Sequence, residues 1–118
     1  CGAPAPAIPL EALARAFGRL AATASGPGRA VADALRAHPD LVGGTGRPDT
    51  DLMSGAPGLI AKEGAEAVFA VGLPDGRGVA VKIADGARAA RVVVAAGLLS
   101  WHGRVPHPSG REAPCCTA

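Results

Sequence analysis

Three short apolar runs within residues 59–84, separated by turn residues, constrain the fold most strongly. The Asp75-Gly76 pair between the last two runs is a strong hairpin signal, because both residue types tolerate the backbone of a tight turn. After this pair, Val79, Val81 and Ile83 alternate with Ala80, Lys82 and Ala84, as expected for a strand with two unlike faces. The sequence therefore predicts an antiparallel sheet, with strands over residues 59–65, 67–73 and 79–84.

Helical periodicity precedes the strands and returns after them. In residues 9–22 the apolar side chains recur at three- and four-residue steps, which predicts an amphipathic helix. A second helix is predicted over residues 29–37 and ends before Pro39, because the residue preceding a proline avoids helical geometry. Residues 87–101 show helical spacing again. The predicted class is therefore α+β, with an antiparallel sheet packed by helices.

Residues 39–58, between the helices and the strands, are expected to form a long loop. Its glycines Gly43, Gly44 and Gly46 permit turns that other residues resist. A loop of this length in a compact domain usually has a function. Arg47 follows the glycines, and an arginine can hold a carboxylate through two parallel hydrogen bonds.

The strand after this loop carries Lys62 and, two residues later, Gly64. A lysine on a rigid strand supplies a fixed positive charge, and a nearby glycine lets a ligand lie close to the backbone. Arg47, Lys62 and Gly64 therefore form a candidate binding site for a substrate that bears a carboxylate. The alternative is structural: an Arg-Pro-Asp-Thr turn is often internally hydrogen-bonded, with the arginine bracing the loop, and a strand lysine often faces solvent.

Composition restricts the partners that we expect. The formal net charge is +2, and basic residues are interspersed with acidic ones rather than clustered as in a nucleic-acid-binding face. No apolar stretch approaches the ~20 residues that a membrane span needs. We therefore expect neither a nucleic-acid partner nor a membrane partner. The apolar residues are mostly small, so a core built from them needs many close contacts or a partner to offset its ordering entropy.

Three segments of the chain, residues 38–53, 59–68 and 73–86, read HPDLVGGTGRPDTDLM, LIAKEGAEAV and LPDGRGVAVKIADG. In the same order and at similar spacing, they resemble the segments HPxLVGGxGRxDTxLM, LVAKxGAEGV and LPxGRGVAVKIxDG. These segments are typical of bacterial L-asparaginases of the rhizobial, thermolabile type, also called asparaginase II. The family also has Asp-Gly-Cys-Gly before an Ala/Pro segment and an LARAF helix, which fits the start of this chain at Cys1. The resemblance covers residues 1–99.

Two positions depart from the family's pattern. The family often has phenylalanine at the position of Pro48 and glycine at the position of Ala67. Pro48 stiffens the chain after Arg47 and so affects where that side chain lies.

The resemblance implies the fold of serine β-lactamases and penicillin-binding proteins. Residues 1–103 would be the C-terminal part of this domain, and residues 104–118 a disordered tail. Lys62 would belong to the element that corresponds to the β-lactamase Lys-Thr-Gly motif and would be catalytic. Arg47 and Gly64 would bind substrate.

The family's nucleophile is a serine in a Ser-x-x-Lys arrangement, and this sequence contains none. The resemblance therefore implies a C-terminal fragment of an enzyme that hydrolyses L-asparagine to L-aspartate and ammonia by acyl transfer. The nucleophile would lie upstream of Cys1, and the fragment alone would be inactive. The full-length enzyme is expected to be a cytoplasmic homodimer. An isolated chain is expected to self-associate through an open edge of its last strand.

The family also carries a zinc ion bound by two cysteines and a lysine. Cys1 matches the second of these cysteines, and the other two ligands would lie upstream, so the zinc site is incomplete in this chain. The alternative to an asparaginase is a non-catalytic module that binds a small ligand or a partner, such as a lipoprotein anchored at Cys1.

Overall fold

Four helices precede a three-stranded antiparallel sheet in the computed structural model, which describes residues 2, 4, 6–87 and 97. The helices are α1 (Leu10–Ala22), α2 (Gly26–Ala37), α3 (Pro39–Gly43) and α4 (Pro48–Gly55). The strands are β1 (Ile60–Gly64), β2 (Val68–Gly72) and β3 (Gly78–Lys82). The predicted α+β class and antiparallel sheet are confirmed. The helix expected over residues 87–101 falls outside the described residues except at its first residue and at Gly97, and the expected tail 104–118 falls outside them entirely.

The strands lie in the order β1-β2-β3, so β2 is central. Lys62 of β1 pairs with Ala70 of β2, and Ala70 pairs with Ala80 of β3. The predicted turn between β2 and β3 is confirmed: the Leu73 N–H donates to the Arg77 carbonyl oxygen at 2.8 Å. Within the described part of the chain, no strand pairs with the outer edge of β3.

The main hydrophobic core lies between one face of the sheet and α4. Phe69, Val71 and Val81 project from this face and pack with Met53 and Ala56 from the α4 segment. Val42 of α3 and further side chains next to the sheet complete this cluster. Residues two apart on a strand share a face. Lys62 of β1 therefore lies on the opposite face of the sheet, which is also the face that α1 packs against.

Helix α1 packs against β2 and β3 through glycines, with backbone against backbone. A Cβ atom at Gly78 would overlap the carbonyl oxygen of Ala14, and one at Gly72 would overlap that of Phe17. A Cβ at Gly18 of α1 would in turn overlap the turn between the two strands. The helix and the sheet therefore approach more closely than any side chain at these positions would permit.

Arg36 joins three segments of the chain. Its Nε donates to the Gly58 carbonyl oxygen at 2.9 Å, and an Nη donates to the Ala21 carbonyl oxygen at 2.6 Å. Its other Nη lies 3.4 Å from Asp33. One guanidinium thus satisfies a carbonyl near the end of α1 and a carbonyl just before β1, which would otherwise lose hydrogen bonds on burial.

The prediction of a loop over residues 39–58 is wrong, because α3 and α4 occupy most of this segment. Pro39 and Pro48 each occupy the first position of a helix, where the missing N–H costs nothing and the fixed φ is favourable. Gly44 and Gly46, with φ of 101° and 69°, form the connection between the two helices. The loop was predicted from Gly43, Gly44 and Gly46, but these glycines occupy only the end of α3 and the connection to α4.

The turn between β1 and β2 lacks the usual turn residues. Glu66 and Ala67 have φ of 53° and 56°, in the left-handed region that favours glycine. The predicted strands left only one residue between them, whereas the observed strands end at Gly64 and resume at Val68. The left-handed backbone at Ala67 gives a physical reason for the glycine that the family often has there.

Candidate functional site

The candidate site lies where the start of α4 meets the outer edge of β1. Arg47 immediately precedes α4, and Asp49 is its second residue. Among the described residues, β2 is the only strand that pairs with β1. On the other side of β1, the Glu63 N–H donates to Oδ2 of Asp49 at 3.3 Å. The helix thus places a carboxylate at a strand edge whose N–H groups would otherwise need water.

Asp49 is fully buried. Besides the Glu63 N–H, its Oδ2 accepts a hydrogen bond from Nζ of Lys62 at 3.4 Å. Its Oδ1 has no hydrogen-bond partner among the described residues. A Cβ at Gly43 would overlap this oxygen, so only a glycine at residue 43 permits the carboxylate to sit here. A buried carboxylate is tolerated when a cation and hydrogen bonds offset its desolvation, and the start of a helix also favours a negative charge.

The Lys62 side chain contacts the buried carboxylate of Asp49 and is itself partly exposed at the protein surface. Its Nζ also donates to the Glu63 carbonyl oxygen at 3.0 Å, and its side chain is 47% exposed. The ammonium group therefore contacts Asp49, while about half of the lysine side chain is exposed to solvent. This arrangement leaves a positive charge that is held in place but still accessible to an anionic or polar ligand.

Arg47 forms an ion pair with Glu63. The Glu63 side chain is only 8% exposed, whereas that of Arg47 is 41% exposed. Nε of Arg47 is buried and has no hydrogen-bond partner in the described part of the chain. This geometry favours the bracing role considered for Arg47, and its role as a clamp for a substrate carboxylate stays a prediction.

Gly64 has a structural reason to be a glycine. A Cβ there would lie 3.2 Å from the Cβ of Val68, its partner on β2, which is tighter than side chains usually pack. The predicted role of Gly64 in substrate binding stays a prediction. Because Lys62 and Gly64 are two residues apart on β1, they lie on the same face of the sheet.

Thr50 anchors the start of α4 to α3. Its hydroxyl donates towards the carbonyl oxygens of Gly44, at 2.7 Å, and Pro39, at 3.1 Å. These bonds tie the Arg-Pro-Asp-Thr segment to α3 and to the connection that follows α3. This bonding fixes the direction in which Asp49 enters the site.

Sequence reasoning missed Asp49. The available signal was an acidic residue directly after a proline, the pattern of a helix start with a stabilising negative charge. Cys1, the predicted zinc ligand, lies outside the described residues. Among the residues that are described, no group of three or more His, Cys, Asp or Glu side chains could hold a metal ion.

Residues 1–113 match the family model described as L-asparaginase II. The chain belongs to the L-asparaginase II family. Its function is therefore of the asparaginase type, and the matched region includes Arg47, Asp49, Lys62 and Gly64. No curated protein matches the chain. None of the helices in the described ranges is long and apolar enough to cross a membrane.

Proposed function

We propose that this chain contributes the lysine side of an active site that hydrolyses L-asparagine to L-aspartate and ammonia. The observation that carries the proposal is the position of Lys62, whose half-exposed side chain contacts the buried Asp49 within a member of the L-asparaginase II family. An ammonium fixed before substrate binds can stabilise charge that develops in a transition state without first reorganising.

The reaction begins with a serine from a Ser-x-x-Lys segment, which this sequence does not contain. The serine oxygen attacks the side-chain amide carbon of L-asparagine, and the adjacent lysine takes the serine proton. The C–N bond then breaks, ammonia leaves with one added proton, and an acyl-enzyme ester forms. Water hydrolyses this ester to release L-aspartate and the free serine.

Lys62 acts on the charge that appears during these steps. Attack on the amide places negative charge on the amide oxygen, and an ammonium that donates a hydrogen bond to it lowers the barrier. The same group can supply a proton to the departing nitrogen. Asp49 cannot take either role directly, because it is fully buried.

Arg47 and Gly64 are proposed to shape the substrate site around Lys62. Arg47 acts through its ion pair with Glu63, which holds the next residue of β1 in place. Gly64 offers a strand surface without a side chain beside Lys62. Zinc at Cys1 and a cytoplasmic homodimer stay predictions, and no reaction step is assigned to the metal.

The decisive test is substitution of Lys62 in the polypeptide encoded by the complete reading frame. Lys62→Met should lower kcat for L-asparagine by about 100-fold or more, the loss typical when one charge-stabilising donor is removed. The measurement is ammonia release, with folding checked by circular dichroism.

Lys82→Met is the matched control. Lys82 is also a strand lysine whose Nζ donates to the next carbonyl oxygen, that of Ile83, at 2.7 Å. Its substitution should leave kcat within about twofold. A Lys62→Met variant with the parent's rate would show that Lys62 is a solvated strand lysine without a catalytic role.

The 118-residue chain alone should release no ammonia from L-asparagine, because it has no Ser-x-x-Lys. The assay compares purified chain with a heat-denatured sample of the same preparation. Turnover above that background would contradict a nucleophile located elsewhere in the polypeptide.

A further inference from the structure

We infer that Asp49 is a positioning residue, which holds the Lys62 ammonium at the edge of β1 and so sets where its charge is presented. The catalytic consequence of this inference rests on the proposed function, whereas the positioning itself does not. Asp49 does not touch substrate, since it is fully buried beneath the lysine.

The first step of the argument is that Asp49 is itself immobile. Its Oδ2 accepts the Glu63 N–H of β1 at 3.3 Å, which ties the carboxylate to the sheet backbone. Its Oδ1 lies against Gly43. The hydrogen bonds of Thr50 to Gly44 and Pro39 fix the backbone next to Asp49. The carboxylate therefore cannot follow the lysine into solvent.

The second step is that Lys62 would otherwise be mobile. A lysine side chain has four rotatable bonds and loses rotamer entropy when it is ordered. With its side chain half exposed, Lys62 would point to solvent unless a fixed acceptor held it. Asp49, with its Oδ2 at 3.4 Å from Nζ, supplies that acceptor and an opposite charge.

The third step concerns Glu63, the nearest competing carboxylate. Glu63 follows Lys62 on β1, so its side chain projects from the other face of the strand. There it is engaged by Arg47. Arg47 therefore contacts Glu63, and the carboxylate that contacts Lys62 is that of Asp49.

The chain contains an internal comparison for this inference. Lys62 and Lys82 are its two lysines, and each donates through Nζ to the carbonyl oxygen of the next residue. Within the described residues, only Lys62 also has a carboxylate partner. Any difference in side-chain order between the two lysines therefore reports on Asp49.

The experiment measures the order of the lysine side chains by NMR relaxation of their ¹³Cε groups, in the polypeptide from the complete reading frame. Lys62→Arg and Lys82→Arg variants assign the two signals. Lys62 should have an order parameter about twofold higher than that of Lys82. This comparison needs no variant at Asp49, so it survives even if such a variant fails to fold.

Asp49→Asn then removes the charge while keeping the size of the side chain and an oxygen for the Glu63 N–H. The order parameter of Lys62 should fall to the level of Lys82, and that of Lys82 should not change. In the same variant kcat for L-asparagine should fall about 10- to 100-fold with KM changed less than about threefold, because the charge is misplaced rather than removed.

The positioning role of Asp49 and the catalytic role of Lys62 would be contradicted by different results. If Lys62 is as mobile as Lys82 in the parent protein, or keeps its order in folded Asp49→Asn, the positioning role is wrong whatever the activity. If Asp49→Asn frees Lys62 but Lys62→Met keeps the parent's rate, the positioning role stands and the catalytic role of Lys62 is wrong.

Discussion

The two sides of this sheet are held by opposite kinds of contact. On one side, α1 lies against β2 and β3 with glycines at the points of closest approach, namely Gly18, Gly72 and Gly78. At the β1 edge, α4 is joined to the sheet by Arg47 and Asp49, two charged residues with charged or N–H partners. The α1 contact leaves no room for side chains at these glycines, whereas the α4 contact at the β1 edge is formed by charged side chains.

The two contacts differ in what they can contribute: the glycine contact of α1 contributes to stability, whereas the contact at the β1 edge carries charged groups. Close backbone packing gains dispersion energy over many atoms and offers no group that could act on a ligand. Buried charges contribute little net stability, because desolvation offsets their attraction. The charged contact also includes the half-exposed Lys62, a side chain that could act on a ligand.

The largest effect should follow from adding one methyl group to the glycine contact. Gly78→Ala places a Cβ onto the Ala14 carbonyl oxygen, so helix and sheet must separate. We expect a loss of about 3 kcal/mol in the free energy of unfolding, the upper range for overpacking. Urea denaturation of parent and variant measures it.

Gly55→Ala makes the same chemical change at the end of α4. A Cβ there would meet nothing within 4 Å, and alanine is the better helix former. This variant should be neutral or more stable by up to about 1 kcal/mol. Equal losses at Gly55 and Gly78 would mean that the close approach of α1 does not matter.

A smaller loss is expected when the charged contact is broken. Arg47→Met leaves the mostly buried Glu63 without its guanidinium, and we expect a cost of about 2 kcal/mol, between the values for exposed and buried pairs. The double variant Arg47→Met/Glu63→Gln should recover part of this loss, because no charge then remains. A full thermodynamic cycle from urea denaturation gives the coupling. A double variant less stable than Arg47→Met would contradict this interpretation.

A modest gain is expected at the β1–β2 turn, between the two contacts. Glu66→Asn should stabilise the chain by about 0.5 kcal/mol, because asparagine tolerates the left-handed backbone at this position better than glutamate. Thermal unfolding measures the change. Glu66→Gln, which keeps the side-chain length and removes the charge, is the control and should not reproduce the gain.

The smallest effect is expected at the surface pair of α2. The hydrogen bond from Arg29 holds the pKa of Asp33 below its ordinary value of 3.8. The stability contribution is therefore present above that value and is lost as the pH falls through the lower pKa of the folded state. Asp33→Asn should be slightly less stable than the parent at pH 7, and this difference should disappear as the pH falls below about 4, where the parent loses a contribution that the variant lacks. Identical acid profiles would show that the pair contributes nothing.

Local chemistry made the sheet and α1 predictable from the sequence. The Asp75-Gly76 turn, the alternation in β3 and the helical spacing of α1 each depend on residues close in sequence. The family resemblance, confirmed by the match over residues 1–113, singled out Lys62.

The burial of Asp49 and the close approach of α1 to the sheet could not be predicted, because they depend on contacts between residues that are distant in sequence. The burial of Asp49 requires Gly43 behind it and the edge of β1 beside it, and no sequence window contains all three. The close approach of α1 also has no hydrophobic signal, since Gly72 and Gly78 carry no side chain. Glycines and prolines were interpreted as breaks between elements, whereas here they allow the elements to touch or to start.

The guanidinium of Arg36 has a consequence for how the molecule opens. It holds the carbonyl of Ala21 and the carbonyl of Gly58 at once, so α2 cannot detach without releasing both the end of α1 and the approach to β1. Local fluctuations of these segments should then merge into one cooperative unit. In hydrogen exchange, the amides of α2 and β1 would share one opening free energy, although the two elements are far apart in the chain.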